Sequence, residues 1–288
     1  MKGCALAACA LVACGGDDGA MIGPDASASD TTGCTLPALD APGLRDYLSG
    51  IVTALAAAPR ATTTQRTAAR TYLMGQLTQL GWTAQLHSYA TGANVLALIP
   101  ATTSETRRII VGAHFDTVSG SPGANDNATG VAAALGVARY LVDASCRRYP
   151  VTIALFDEEE TGLVGARAYA TTLAPADVLA AHTVDQIGWD SDVDRRFELE
   201  APTATLEAEY RAAATVVGVP VTKTSTEGTD HQAFRDRGFA AIGLTEEYVG
   251  GDTSPYRHTA QDTAATVDLD YLVRGTQLVA QVITSELR

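Results

Sequence analysis

Ile109-Ile110-Val111 runs straight into Gly112-Ala113-His114-Phe115-Asp116-Thr117, and Asp126 follows twelve residues after the histidine, inside GANDNATG (123–130). An uninterrupted apolar run of this kind reads as a strand buried on both faces, as in a sheet covered by helices on either side. An imidazole and carboxylates gathered at the end of such a strand make a poor core. They are well suited to a hard or borderline divalent cation. One segment thus ties a fold class to a chemistry.

The rest of the chain fits that class. With 288 residues, 46% of them hydrophobic, it can bury one large core. Helices are predicted over 43–57, 65–80, 127–143, 162–173, 204–217, 230–236 and 268–286, the second closed by Gly81. Strands are predicted over 82–89, 94–99, 108–113, 150–156, 181–187, 196–201, 219–224 and 240–245. The early strands have no helix between them and are expected as antiparallel neighbours; the later ones read as βαβ units. The expectation is an α/β domain, a three-layer α/β/α sandwich with a mixed, mostly parallel central sheet. A net charge of −13 argues against a nucleic-acid partner, because phosphate binding needs a basic surface.

In such folds the chemistry lies beyond the carboxyl ends of the strands. Strand 150–156 ends in Asp157-Glu158-Glu159-Glu160, strand 181–187 delivers Asp185, and the loop before the last helix holds Tyr256-Arg257-His258-Thr259. Each has an ordinary alternative. An acidic run often starts a helix, Asp185 can serve in a turn, and a single histidine is more often core or surface than ligand. His87 and His182 lie in no motif and take that ordinary reading; His231 is intermediate.

Lys2 precedes an apolar stretch, Ala5 to Ala13, ending in Leu11-Val12-Ala13-Cys14. It is too short to span a bilayer as a helix and reads as an export signal. Its ending resembles a bacterial lipobox, with Cys14 as the lipidated first residue of the mature chain; an ordinary cleaved signal is the alternative. Gly, Asp, Ala, Ser and Thr then dominate as far as about Thr32, with almost nothing to bury. The expected organisation is signal 1–14, tether 15–36 and catalytic domain 37–288. With Cys14 lipidated, Cys34 and Cys146 remain as an even pair in an exported protein, which fits a disulfide. Two unpaired thiols are the other outcome.

Six segments stand in a fixed order: GAHFDT, SPGANDNATG, EETGLVGARAY, VDQIG, GTDHQAF and YRHTAQDT. Together they resemble the di-zinc exopeptidases of the secreted bacterial aminopeptidase type, over about residues 44–288. The resemblance implies two Zn2+ ions bridged by Asp126, with His114 and Asp185 completing one site and Glu160 and His258 the other. It implies Glu159 as general base on a metal-activated water. Asp116 would fix the tautomer of His114 through its other ring nitrogen. The register of Glu159-Glu160 before Gly162-Leu163 leaves Asp157 and Glu158 as flanking residues. A cis peptide after Asp126 is implied as well.

Some relatives carry a tyrosine just before the last histidine, where it can stabilise the tetrahedral oxyanion. Here that position is Arg257, with Tyr256 one earlier. Tyr248 and Arg257 are both candidates for the role; a carboxylate-selecting or merely solvated Arg257 are the alternatives. The implied activity is an exported, monomeric metallo-aminopeptidase acting on a peptide or small amide. It would be lipid-anchored at the bacterial cell envelope, or secreted or periplasmic without lipid. A glutaminyl cyclase-type acyltransferase is the main alternative, although its members usually interrupt the segment after the paired glutamates, and Glu159-Glu160-Thr161-Gly162-Leu163 is uninterrupted. A carboxypeptidase or other amidohydrolase on the same fold also remains. A metal-free binding relative is disfavoured because all five ligands and the base are present. Manganese or cobalt also suits so oxygen-rich a site.

Overall fold

The computed structural model describes Met1, residues 34–40 and residues 42–288; Cys14 and most of the expected tether lie outside the described residues. After helices α1 (Leu44–Leu55) and α2 (Thr63–Gln79) come strands β1 (Ala84–Ser88), β2 (Ala93–Ile99) and β3 (Arg108–His114). Helix α3 (Gly130–Tyr140), β4 (Val151–Phe156), α4 (Val164–Thr171), β5 (Val178–Val184) and β6 (Phe197–Glu200) follow. The chain closes with α5 (Ala204–Val217), β7 (Val221–Thr224), α6 (Asp230–Arg235), β8 (Ala241–Thr245) and α7 (Leu269–Glu286). Local signals set several ends. Thr62 and Gln65 form a reciprocal capping box on α2, and the Asp268 carboxylate accepts from the amides of Asp270 and Tyr271 at the start of α7.

The eight strands form one sheet in the order β1-β2-β4-β3-β5-β8-β6-β7. Pairings β3–β4, β3–β5, β5–β8 and β6–β7 are parallel, while β1–β2, β2–β4 and β6–β8 are antiparallel. The mixed, predominantly parallel α/β sheet is therefore present, with β3 near its middle. Alternate residues of β3 feed two cores. Ile109, Val111 and Ala113 face the layer of α1, α2, α3, α5 and α7, whereas Ile110 faces α4 and α6. This two-sided burial is why the strand reads as a continuous apolar run rather than an alternating one.

Three expectations need correction. Strand β2 pairs with β4, not with β3, because the crossovers through α3 and α4 place β4 and β5 on the two sides of β3. The strand expected over 181–187 is Val178–Val184, since its pairing with β3 begins at Arg108↔Val178 and the chain leaves the sheet at Asp185. The helix expected from 127 begins only at Gly130, because Ala124–Thr129 forms a wide turn in which Asp126 and Asn127 have non-helical dihedrals. Cys34 and Cys146 are joined, with Cα atoms 5.3 Å apart, and the same junction is tied by Ser145 N–H to Thr35 O at 3.0 Å. Among the described residues no helix is long and apolar enough to cross a membrane.

Candidate active site

The carboxyl ends of β3, β4 and β5 lie side by side, and the residues just beyond them carry the site. His114 is the last residue of β3, Glu159 and Glu160 follow β4, and Asp185 directly follows β5. Asp126 reaches the same place from the turn before α3. Gly123 starts that turn at φ +64°, and a Cβ there would run into Thr117 and the Asp126 carbonyl. The Asp126–Asn127 peptide is cis, as the resemblance implies. Asn127 staples the turn to the end of β5: its Nδ2 donates to Val184 O at 2.8 Å, and its Oδ1 accepts from Gly130 N–H at 2.9 Å. Thr129 adds a second tie, its hydroxyl accepting from Ile187 N–H at 3.1 Å.

The side chains converge in two overlapping groups. His114 Nε2 lies 3.4 Å from Asp126 Oδ1 and 3.5 Å from Asp185 Oδ1. His258 Nε2 lies 3.1 Å from both Asp126 Oδ2 and Glu160 Oε2. Asp126 thus belongs to both groups, one oxygen to each. Glu159 Oε2 stands 4.0 Å from His114 Nε2, beside the first group. Asp116 does more than face His114 Nδ1 at 3.5 Å: its two oxygens also accept the Glu159 and Glu160 amides, at 2.9 and 3.2 Å. Asp157 and Glu158 point the other way, into ion pairs with Arg66 and Arg70 of α2.

Electrostatics show what the site is suited to hold. Burial pushes the Glu159 carboxyl up, and Asp185, Asp230 and Glu160 push it further while His114 opposes. Burial, aided by Asp126, likewise raises Glu160. Burial alone would lower the His114 imidazole, but Glu159, Asp185, Asp116 and Asp126 hold it well above its ordinary value. Asp126 goes the other way: burial opposes its charge, yet the nearby His114 and His258 imidazoles hold its pKa below the usual carboxylate range. Both ring nitrogens of His114, Glu160 Oε1 and Asp185 Oδ1 are buried without a hydrogen-bond partner. Buried polar atoms of this kind are normally satisfied. Ligand atoms of His114, Asp126 and Glu160, and of His114, Glu159 and Asp185, gather within 4.8 Å of one another, and this surplus of carboxylates with unpaired atoms fits divalent cations of the zinc type.

Of the remaining candidates, Arg257 is at the site, its Nε 3.3 Å from Asp126 Oδ2. Tyr248 is half-exposed and reaches the site only through Arg257, whose Cζ lies 5.9 Å from its ring centroid. Tyr256 packs edge-on against Trp189, with ring centroids 5.6 Å apart. His182 is a core histidine, between the Tyr210 hydroxyl and Glu286. His87 lies on β1 against Tyr169 and Asn94.

Several supporting residues escape sequence reading. Asp262, four residues past His258 within a motif already in view, accepts the backbone amides of Asn125 and Asp126 at 2.8 and 3.1 Å. Asp230, in GTDHQAF, is buried with Oδ1 unpaired, and the negative charges of Asp185 and Asp116 add to the burial that raises its carboxyl. Glu246 accepts from Asn125 Nδ2, Ser254 N–H and Trp189 N–H. Arg60 gives no sequence signal, yet its buried guanidinium donates to the carbonyls of Phe115, Leu55, Pro122 and Gly123.

The pattern of Peptidase family M28 matches residues 94–283, about two thirds of the chain. The chain belongs to peptidase family M28. Aminopeptidase YwaD of Bacillus subtilis is 26% identical over 189 residues, 61% of this M28 chain and 40% of that protein. The chain spans less than half the length of the curated relatives it first matches. Among solved structures, the Legionella pneumophila LapA aminopeptidase superposes with a TM-score of 0.78 at 19% identity, covering 84% of this chain and 71% of that one. The Porphyromonas gingivalis glutaminyl cyclase superposes with a TM-score of 0.71 at 18% identity, covering 84% and 98%. At these identities the M28 fold is shared by proteins of different named activity.

Proposed function

We propose that this M28 chain is a zinc-dependent exopeptidase, an aminopeptidase that hydrolyses the amide bond after an N-terminal residue. The observation that carries the reading is the convergence of two groups on Asp126, which faces His114 through one oxygen and His258 through the other, with the Glu159 carboxyl 4.0 Å from His114 Nε2. His114, Asp126 and Asp185 would hold one zinc ion; Asp126, Glu160 and His258 would hold a second. Two bound zinc ions supply Lewis-acid polarisation of the scissile carbonyl and acidify water.

The chain's own residues supply the rest. Glu159 takes a proton from the attacking water at its carboxylate and gives it to the leaving amine, a role that suits a carboxyl whose burial makes it more basic. Asp116 orients the His114 ring and holds the Glu159–Glu160 backbone, so the base and two ligands move as one unit. Of the two candidates, Arg257 contacts the ligand group directly, through Asp126, and Tyr248 reaches it only through Arg257, which supports Arg257 as the residue that meets the substrate. The lipobox-like ending at Cys14 supports export and anchoring of the domain by lipid at the cell envelope.

The test is Glu159→Gln in the zinc-loaded protein, assayed on leucine and N-terminal glutamine substrates. Zinc content should stay near that of the wild type while turnover falls by roughly 10²–10⁴-fold, the usual contribution of a positioned general base. Near-normal turnover in the variant would refute the base assignment. Cyclisation of N-terminal glutamine without release of a free amino acid from any substrate would replace the peptidase reading by an acyltransferase.

A further inference from the structure

Beside the paired glutamates lies a cleft of about 400 Å³, lined among others by Glu159, Glu160, Gln232 and two arginines, Arg167 and Arg257. We propose that Arg257 makes this cleft a carboxylate subsite, so that the protein prefers substrates carrying a carboxylate close to the scissile bond. The carboxylate is either an acidic N-terminal side chain or the free C-terminus of a dipeptide. The proposal rests on the aminopeptidase reading for where the scissile bond lies.

Arg257 is held in place before any ligand arrives. Its Nε faces Asp126 Oδ2 at 3.3 Å, and its Cζ sits over the Tyr248 ring. Among the described residues, neither of its Nη atoms makes a hydrogen bond to protein. Its side chain is 39% exposed and lines the cleft. Two unpaired donors on one planar edge match the two oxygens of a carboxylate, a geometry that an ammonium cannot reproduce. Anchoring by Asp126 and Tyr248 reduces the side-chain entropy lost on binding.

Charge arguments point the same way. The chain carries a net charge of −13 and would repel an anion without a local cation. Arg167 spends an Nη on Asp236 at 3.0 Å, whereas Arg257 meets Asp126 through Nε at 3.3 Å and, among the described residues, keeps both Nη groups for a ligand. An apolar N-terminal side chain seated against Arg257 would strip water from the guanidinium and return no hydrogen bond. Glu159 and Glu160 line the same cleft, so a substrate carboxylate belongs on the Arg257 edge turned away from them.

The experiment uses the full chain loaded with zinc and compares matched pairs of substrates. Glutamyl against glutaminyl anilide reads a side-chain carboxylate; Leu-Gly against Leu-Gly-amide reads a terminal one. The wild type should favour the charged member of one pair by roughly 10- to 100-fold in kcat/KM, the range of one charge-assisted contact. Arg257→Gln should bring that ratio close to one, mainly through KM, and Arg257→Lys should leave an intermediate ratio. Zinc content and thermal unfolding of both variants establish that the site is intact. No preference in either pair, or a preference that survives in Arg257→Gln, overturns the proposal. If no substrate is cleaved at all, the aminopeptidase reading fails separately. The subsite is then judged by calorimetry with free glutamate against glutamine: at least tenfold tighter glutamate binding, lost in Arg257→Gln, sustains it, and equal binding overturns it.

Discussion

Arg60 precedes α2, outside the stretch matched by the family, yet it holds together the segments that carry His114 and Asp126. Only 3% exposed, it donates from Nη1 to Leu55 O and Pro122 O, both at 2.7 Å, from Nη2 to Gly123 O at 2.8 Å, and from Nε to Phe115 O. Phe115 follows His114, and Gly123 opens the turn to Asp126. Consider Arg60→Met. Burial pulls the guanidinium down to about 10 from 12.5, against the pull of Asp116, Asp262 and Asp126. At about 1.4 kcal/mol per pKa unit, removing the cation relieves about 3 kcal/mol. Four carbonyls lose a charged donor, each worth about 1.5–3 kcal/mol, so the loss exceeds the relief even where water reaches some of them. The expected net destabilisation is about 3–5 kcal/mol, at the upper end for a single substitution. Urea unfolding of the zinc-free protein measures it, and a zinc titration should show weaker binding in the same variant. Arg60→Lys, with three donors in place of a fork, should fall between. Unfolding within about 0.5 kcal/mol of wild type, together with unchanged zinc affinity, would refute the account.

Three further outcomes are expected. Asp262→Asn can accept only one of the Asn125 and Asp126 amides, and zinc affinity should drop roughly 10- to 100-fold in a competitive chelator titration. Cys34→Ser with Cys146→Ser removes a link spanning 112 residues; denaturant unfolding should show a loss of about 2–4 kcal/mol, and reductant should have no effect on the double variant. His231, whose pKa burial lowers to about 4, is neutral in the fold and takes up its proton more readily when unfolded. Its contribution to stability is therefore undisturbed above about pH 6.5 and becomes unfavourable as pH falls toward 4, by up to about 3 kcal/mol. His231→Asn should flatten the fall in thermal stability between pH 6.5 and 4.5, and an unchanged slope would exclude His231 as its source.

What the chain declares and what it conceals divide along physical lines. The α/β class and the ends of most elements follow from short-range periodicity, because β3 and β4 are buried on both faces and most helices, α3 excepted, on one. The same rule brings His114, Glu160 and Asp185 into view, since polar residues just beyond strand ends interrupt apolar runs, whereas His258 stands out only through its motif in the loop before α7. Strand order is not local: nothing in residues 93–99 says that β2 will lie against β4 instead of β3, because crossovers made later in the chain decide it. The supporting residues are hidden for a related reason. Arg60 and Asp262 act on backbone carbonyls and amides, which every residue carries, so the segments they hold bear no trace of being held. Arg60 lies 54 residues before His114, and Asp262 lies 136 residues after Asp126. Long-range contacts to the main chain leave no spacing to read. The consequence is unequal vulnerability: on the proposed assignment, altering His114, Asp185, Glu160 or His258 should abolish one metal position, whereas altering Arg60 should loosen the approach of β3 to the Asp126 turn and weaken both positions together.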